Sequence, residues 1–134
     1  METAFDRAPE TDLRTRDSRE RLARMVVSLL DHWNLAPNDQ AVLLGLSTQS
    51  RSTIARYRRG EPLADSADLL ARAGHLLGIH KALRILFPHD RDLAYRWVTT
   101  PNRRFGAAPL EVMKRHGYEG ILAIRRYLDF ERGR

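Results

Sequence analysis

The chain has 134 residues, 43% of them apolar, enough for one compact core or two small modules sharing one. It carries 23 Lys and Arg against 17 Asp and Glu, a formal charge of +6. The excess is nearly all arginine, the side chain suited to forked contacts with phosphate, carboxylate and guanine edges, so an anionic partner is expected. No cysteine is present, which excludes disulfides, Cys-ligated metals and a thiol nucleophile. The early residues mix acids and bases (Glu2, Asp6, Arg7, Glu10), unlike a signal peptide. The longest greasy stretch, Met25–Leu30, is far too short to span a bilayer. A cytoplasmic domain with no membrane partner is the expectation.

Leu and Ala number 34 against 10 Val and Ile, which favours helix over sheet. Residues 1–17 hold three bases and five acids without periodicity and read as a flexible N-terminal arm. Leu22, Met25, Val26, Leu29, Leu30 and Trp33 then fall on one helical face, with Ser18 as the predicted N-cap. Pro37-Asn38-Asp39 opens a short helix reaching Leu44, and Gly45 ends it. The polar run Ser47-Thr48-Gln49-Ser50 leads into a helix ending at Arg59-Gly60. After the Glu61-Pro62 loop, Asp65 or Ser66 caps a long helix whose apolar face runs from Leu69 to Leu86. Phe87-Pro88 stops it. Three short helices follow at Arg91–Val98, Pro109–His116 and Tyr118–Asp129, separated by Pro101, Gly106 and Gly117. The fold class is therefore all-α. The expected division is an arm over 1–17, a helix-turn-helix region over 18–64, connecting and dimerisation helices over 65–89, and a helical domain over 90–134.

A helix-turn-helix needs a small residue where its helices touch, a turn residue tolerant of positive φ, and an apolar anchor on the second helix. Ala41, Gly45 and Ile54 fill those roles. Residues 47–60 contain four arginines and no acid. Ser47, Gln49, Arg51, Ser52, Thr53, Arg56, Arg58 and Arg59 are the candidate DNA-binding residues. Ser52, Thr53, Arg56 and Arg59 are spaced for one side of the helix, opposite Ile54 and Tyr57. Arginines there neutralise phosphates or bridge guanine acceptors. Gly45 and Ile54 stand about three residues further apart than in the tightest version of the motif. Either the turn is longer or the second helix begins near Gln49. A solvated arginine face on an ordinary helical hairpin is the structural alternative. Because one short recognition helix reads few base pairs, a homodimer is expected.

The second half carries Trp97, Pro101-Asn102, Phe105-Gly106, Pro109-Leu110 and Gly117-Tyr118-Glu119-Gly120 in the order W-x3-P-N-x2-F-G-x2-P-L-x6-G-Y-E-G. This resembles the toxin-binding domain of the MbcA/ParS/Xre antitoxin family, partners of RES-domain toxins. Leu76 through Pro88 is similar to that family's middle segment. The resemblance covers roughly residues 18–134. It implies an Xre-like helix-turn-helix module followed by a small helical toxin-binding domain that silences an NAD-consuming toxin. It also implies repression of the chain's own operon through operator DNA. The residues it brings forward for toxin binding are Trp97, Pro101, Asn102, Arg103, Arg104 and Phe105, and the tail Glu131, Arg132, Gly133 and Arg134. In that family the tail approaches the toxin's NAD-binding pocket. Arg132 and Arg134 would meet acidic groups there and Glu131 would take a phosphate's place. Each residue also has a plainer role: Trp97 and Phe105 closing a small core, Gly117 a C-cap, Gly120 a close-packing site, the tail a frayed end.

Catalysis finds little support. The five histidines include no helical i,i+4 pair, no nucleophile elbow or phosphate loop occurs, and Asp90 and Asp92 suit a helix N-terminus. No cofactor or metal is expected. The alternative to an antitoxin is a stand-alone helix-turn-helix transcriptional regulator with a helical dimerisation domain. A small enzyme comes third.

Overall fold

The computed structural model describes Asp12 and residues 14–134. Among the described residues there are seven α-helices, one 3₁₀ turn and no strand. They are α1 (Arg16–His32), α2 (Pro37–Leu43), α3 (Arg51–Arg58), α4 (Ala67–Leu86), α5 (Arg91–Arg96), the 3₁₀ turn Trp97–Thr99, α6 (Pro109–His116) and α7 (Tyr118–Arg132). The all-α reading is correct. None of these helices is long and apolar enough to cross a membrane.

The element starts follow from local chemistry. Thr15, not Ser18, caps α1: its hydroxyl accepts from the Ser18 N–H at 3.1 Å. Ser18 is itself buried three positions into the helix. The expected arm therefore ends earlier than residue 17, since Arg16 and Asp17 are helical; residues 1–11 and 13 lie outside the described residues. Ser66 caps α4 through the Leu69 N–H, and Asp90 caps α5 through the Leu93 N–H. Pro37 and Pro109 stand at the first helical position, where a missing N–H costs nothing. Gly117 joins α6 to α7 at φ +60°, a conformation that side chains resist. Met25 departs from the expected pattern. It sits at the edge of the apolar face and is 53% exposed, while Ala23 and Val27 take up the buried face instead.

Helix α4 is the spine. Leu69, Leu70, Ala73, Leu76, Ile79, Ala82 and Leu83 are buried around it. It packs against α1 on one side and α7 on the other. The buried apolar residues form one cluster that runs from Ala23 in α1 through Leu76 and Leu83 to Ile124 and Leu128 in α7. At about 1.5–3 kcal/mol for each large side chain, this shared core is the main source of stability for both halves. Polar ties reinforce it. Lys114 of α6 meets Asp39 of α2 at 3.0 Å, and Arg72 of α4 donates to the Leu43 carbonyl. Tyr95 of α5 stacks between His32 of α1 and His80 of α4, with both ring centroids 4.9 Å away.

Candidate nucleic-acid and partner-binding surfaces

The first surface is built on α2, the turn and α3. Gly45 takes φ +72° after α2, and the Leu46 N–H reaches back to the Ala41 carbonyl at 2.8 Å. The Ser47 hydroxyl accepts from the Gln49 N–H at 3.1 Å and the Ser47 carbonyl from the Ser50 N–H at 3.0 Å. Those bonds shape a turn that runs to Ser50, so the wide spacing of Gly45 and Ile54 is a longer turn, and α3 does not begin at Gln49. Ile54 and Tyr57 are buried and anchor α3 to the core; the Tyr57 hydroxyl accepts from the Ala64 N–H. Ser52, Arg56 and Arg59 are exposed and Thr53 is half-buried. Ser47, Gln49 and Arg51 are exposed at the turn and the first residue of α3.

The arginines are not equivalent. Arg58 is bound to Asp31 of α1 by two parallel bonds, Nε to Oδ2 at 2.9 Å and Nη2 to Oδ1 at 3.0 Å. This forked contact and a bond from Gln40 hold the Asp31 carboxyl below its ordinary range, while the same contact raises the Arg58 guanidinium. Arg58 thus fastens α3 to α1. Arg56 is shared between Glu61 at 3.1 Å and the Thr53 hydroxyl. Arg51 and Arg59 have no ion-pair partner among the described residues. A further cation, which no pattern within residues 47–60 could reveal, stands at the C-terminal end of α3. The Arg24 guanidinium of α1 lies over Gly60, at φ +95°, where a Cβ would meet it.

The second surface surrounds the loop after the 3₁₀ turn. Asn102 organises this loop: its side-chain oxygen accepts from the Arg104 N–H at 2.8 Å and its carbonyl from the Gly106 N–H at 3.1 Å. Its own N–H donates to Ala107. Trp97 and Phe105, both half-buried, meet edge to face at 6.4 Å. They are joined by Tyr127 of α7, parallel to Trp97 at 6.4 Å and edge-on to Phe105 at 5.1 Å. Arg104 lies 5.2 Å over the Tyr127 ring, a cation–π contact. Pro101 and Arg103 are exposed at the rim. Tyr127 was not singled out from the sequence, because its partners lie over 20 residues away and no local spacing marks it.

The tail departs from the sequence expectation. Helix α7 does not stop at Asp129 but continues through Arg132, with Gly133 as its C-cap. Glu131 lies one helical turn beyond Tyr127 and so shares its face. It pairs with Arg134 at 3.4 Å, while Arg132 leans towards Asp129 and Phe130 is 67% exposed. Tyr127 thus ties the loop cluster to the helix that carries the tail.

Behind this surface His75 of α4 bridges to α7. An arginine only donates, so the 2.9 Å contact from Arg125 makes His75 Nδ1 the acceptor and puts the ring proton on Nε2, facing the Tyr118 hydroxyl at 3.0 Å. Burial, then the charges of Arg125 and Arg126, push His75 below its ordinary value. Among the described residues no three His, Asp or Glu gather as metal ligands would.

Two family models match the chain: the antitoxin Xre-like helix-turn-helix domain over residues 12–78 and the antitoxin Xre/MbcA/ParS C-terminal toxin-binding domain over residues 82–134. An uncharacterised protein of Sinorhizobium fredii (strain NBRC 101917 / NGR234), y4oB, is 38% identical over 106 residues, which cover 78% of this chain and 79% of that protein. The two matched regions meet within α4, the helix that both halves pack against.

Proposed function

Because the chain belongs to the Xre/MbcA/ParS antitoxin family, and is the antitoxin of a toxin–antitoxin pair, we propose that its target is a RES-domain toxin that consumes NAD. The toxin is held on the surface formed by Trp97, Pro101, Asn102, Arg103, Arg104, Phe105 and Tyr127 and by the tail 131–134. The observation that carries this reading is the continuity of aromatic loop and tail. A half-buried aromatic cluster with an arginine on its face is the composition of an interface centre, and α7 carries Glu131 and Arg134 outward from it. Glu131 then stands in for a substrate phosphate, and Arg132 and Arg134 pair with acidic groups of the pocket. Protection follows from occlusion of the NAD site.

The second half of the proposal is repression of the chain's own operon by a homodimer. Arg51 and Arg59 contact phosphates, Ser52, Thr53 and Arg56 face the base edges, and Ser47 and Gln49 position the turn against the backbone. Arg58 acts by holding α3 in place. The chain itself carries out no reaction in this scheme.

The deciding experiment is co-expression with the adjacent reading frame while growth and cellular NAD are followed. Full-length protein restores both. A chain lacking residues 130–134 still captures the toxin but leaves NAD falling, because the last buried residue is Leu128 and the fold survives. Full protection by the truncated chain at unchanged affinity removes the tail from the mechanism. A neighbour that is toxic without lowering NAD removes the RES assignment and leaves an antitoxin of another toxin.

A further inference from the structure

Tyr127 and the tail are carried by α7, whose hydrogen bonds to α4 all run through His75 among the described residues. The Arg125 guanidinium is seated on α4 itself. It lies over Gly78, where a Cβ would stand 2.6 Å from its Cζ. Its Nη1 reaches His75 Nδ1 at 2.9 Å, and its Nε lies 3.6 Å from Asp129, one turn further along α7. Asp129 also draws Arg132, at 3.9 Å. A polar line, His75–Arg125–Asp129–Arg132, therefore runs from α4 to the tail and passes Tyr127 on the way.

The first link of that line holds in one protonation state only. Neutral His75 offers a lone pair at Nδ1, whereas the protonated ring is a donor at both nitrogens and cannot accept from an arginine. Two cations would then face each other at hydrogen-bond distance, which disfavours both. From α7 the ring meets Tyr118 and Arg125 directly, and Arg126 through its charge. On α4, Arg72 stands three residues earlier and is engaged by Asp68 and the Leu43 carbonyl. Among the described residues His75 has no bond to any carboxylate, or to α1, α2 or α6, that could hold an added proton. Burial and the two arginines keep the ring neutral at pH 7.

We propose that His75 and Arg125 are positioning residues of the partner-binding surface, setting α7 in its capture geometry only while His75 is neutral. When His75 takes up a proton, Arg125 turns from Nδ1 to Asp129 and displaces Arg132 from it. Helix α7 then shifts on α4, and Tyr127 and the tail shift with it. Partner capture therefore weakens as pH falls through the His75 midpoint. The apparent Kd is the intrinsic one divided by the neutral fraction, a rise of about tenfold per pH unit below that midpoint. This deepens the toxin reading and rests on it, since the surface is the same.

The test uses the full chain. Without partner, NMR follows the His75 ring and the α7 amides between pH 7.5 and 5. The amides of residues 125–132 should move with the His75 midpoint. Arg125→Met, whose stem still covers Gly78, should raise that midpoint and leave those amides still. In His75→Asn the amide oxygen accepts from Arg125 and takes up no proton, so the same amides should keep their high-pH positions throughout. Capture of the toxin encoded by the adjacent reading frame is then titrated over the same range. The wild-type Kd should rise with acid and that of His75→Asn should not, a comparison that cancels any titration of the toxin. Unchanged helical signal shows that each variant is folded. Amides indifferent to the His75 midpoint, a midpoint unmoved in Arg125→Met, or equal weakening in wild type and His75→Asn overturns the proposal. A chain that captures no toxin even at pH 7.5 fails the toxin reading instead, and the amides alone still judge whether His75 positions α7.

Discussion

Replacing Gly120 with alanine is expected to force α6 and α7 apart. The new methyl would stand 2.5 Å from the Val112 carbonyl oxygen and 2.9 Å from Met113 Cα. Both are backbone atoms, so relief requires moving a helix rather than turning a side chain. Overpacking of this kind costs about 1–3 kcal/mol. Alanine's better helix propensity returns at most about 1 kcal/mol, and less in the first turn where Gly120 lies. The net loss is about 1–2 kcal/mol. Unfolding entropy of about 2.1 cal/mol/K per residue, over this chain, turns that into a Tm lowered by about 4–7 °C. Gly74, in the interior of α4, is the internal control, for its added methyl meets nothing within 4 Å. Gly74→Ala gains about 0.5–1 kcal/mol and raises Tm by about 2–4 °C. Thermal unfolding followed by far-UV circular dichroism reads both. The reasoning fails if Gly120→Ala leaves Tm unchanged, or if the two variants shift it in the same direction.

Operator binding of Arg51→Ala/Arg59→Ala should show a salt slope flatter by about two units, measured by titration across a range of salt. Arg58→Ala should instead act mainly through a loosened α3, visible in slower-relaxing or shifted amide signals without DNA. Glu61→Gln releases Arg56 from its carboxylate and should tighten operator binding a few-fold. His75 and His80 are both held below their ordinary value, by burial and then by neighbouring charges. The unfolded chain therefore binds more protons below about pH 6.5, so stability is full above that value and declines as pH falls through it. His75→Gln should flatten urea-denaturation midpoints between pH 7.5 and 5 if this linkage holds. A fragment beginning at Leu63 leaves α4 without the α1 side of its core and should lose cooperative unfolding; a sharp transition in that fragment would refute the shared core.

Helix identity was legible because each helix carries its own signal. Pro37 and Pro109 mark starts, Gly45 and Gly117 mark ends, and Asp90 and Ser66 are capping residues whose side chains can act only locally. The same signals misled at Ser18. Thr15 and Ser18 are equivalent as capping chemistry, and only the extra turn of α1 decides between them. Helix α7 outruns the apolar pattern because Leu128 is the last apolar residue in register, while helical backbone bonds extend beyond burial. The arginines of α3 were found as a group, but their division into fastener and free charge was not, since Asp31 lies 27 residues from Arg58. Tyr127 and Arg24 were missed for the same reason. A surface assembled from three elements leaves no spacing in any one of them.

The absence of a seam through α4 has a consequence for lifetime. A partner that binds only the folded chain adds about 2.7 kcal/mol when present at a hundred times its Kd. In a chain with a separable hinge, that increment would protect the bound half alone. Here unfolding of α3 and unfolding of the Trp97 face draw on the same buried residues, so both become about a hundredfold rarer together. A protease that cuts the opened chain therefore removes unpartnered molecules first, the helix-turn-helix half included. The concentration of the folded helix-turn-helix half then records how much partner is present, with no movement of one half against the other.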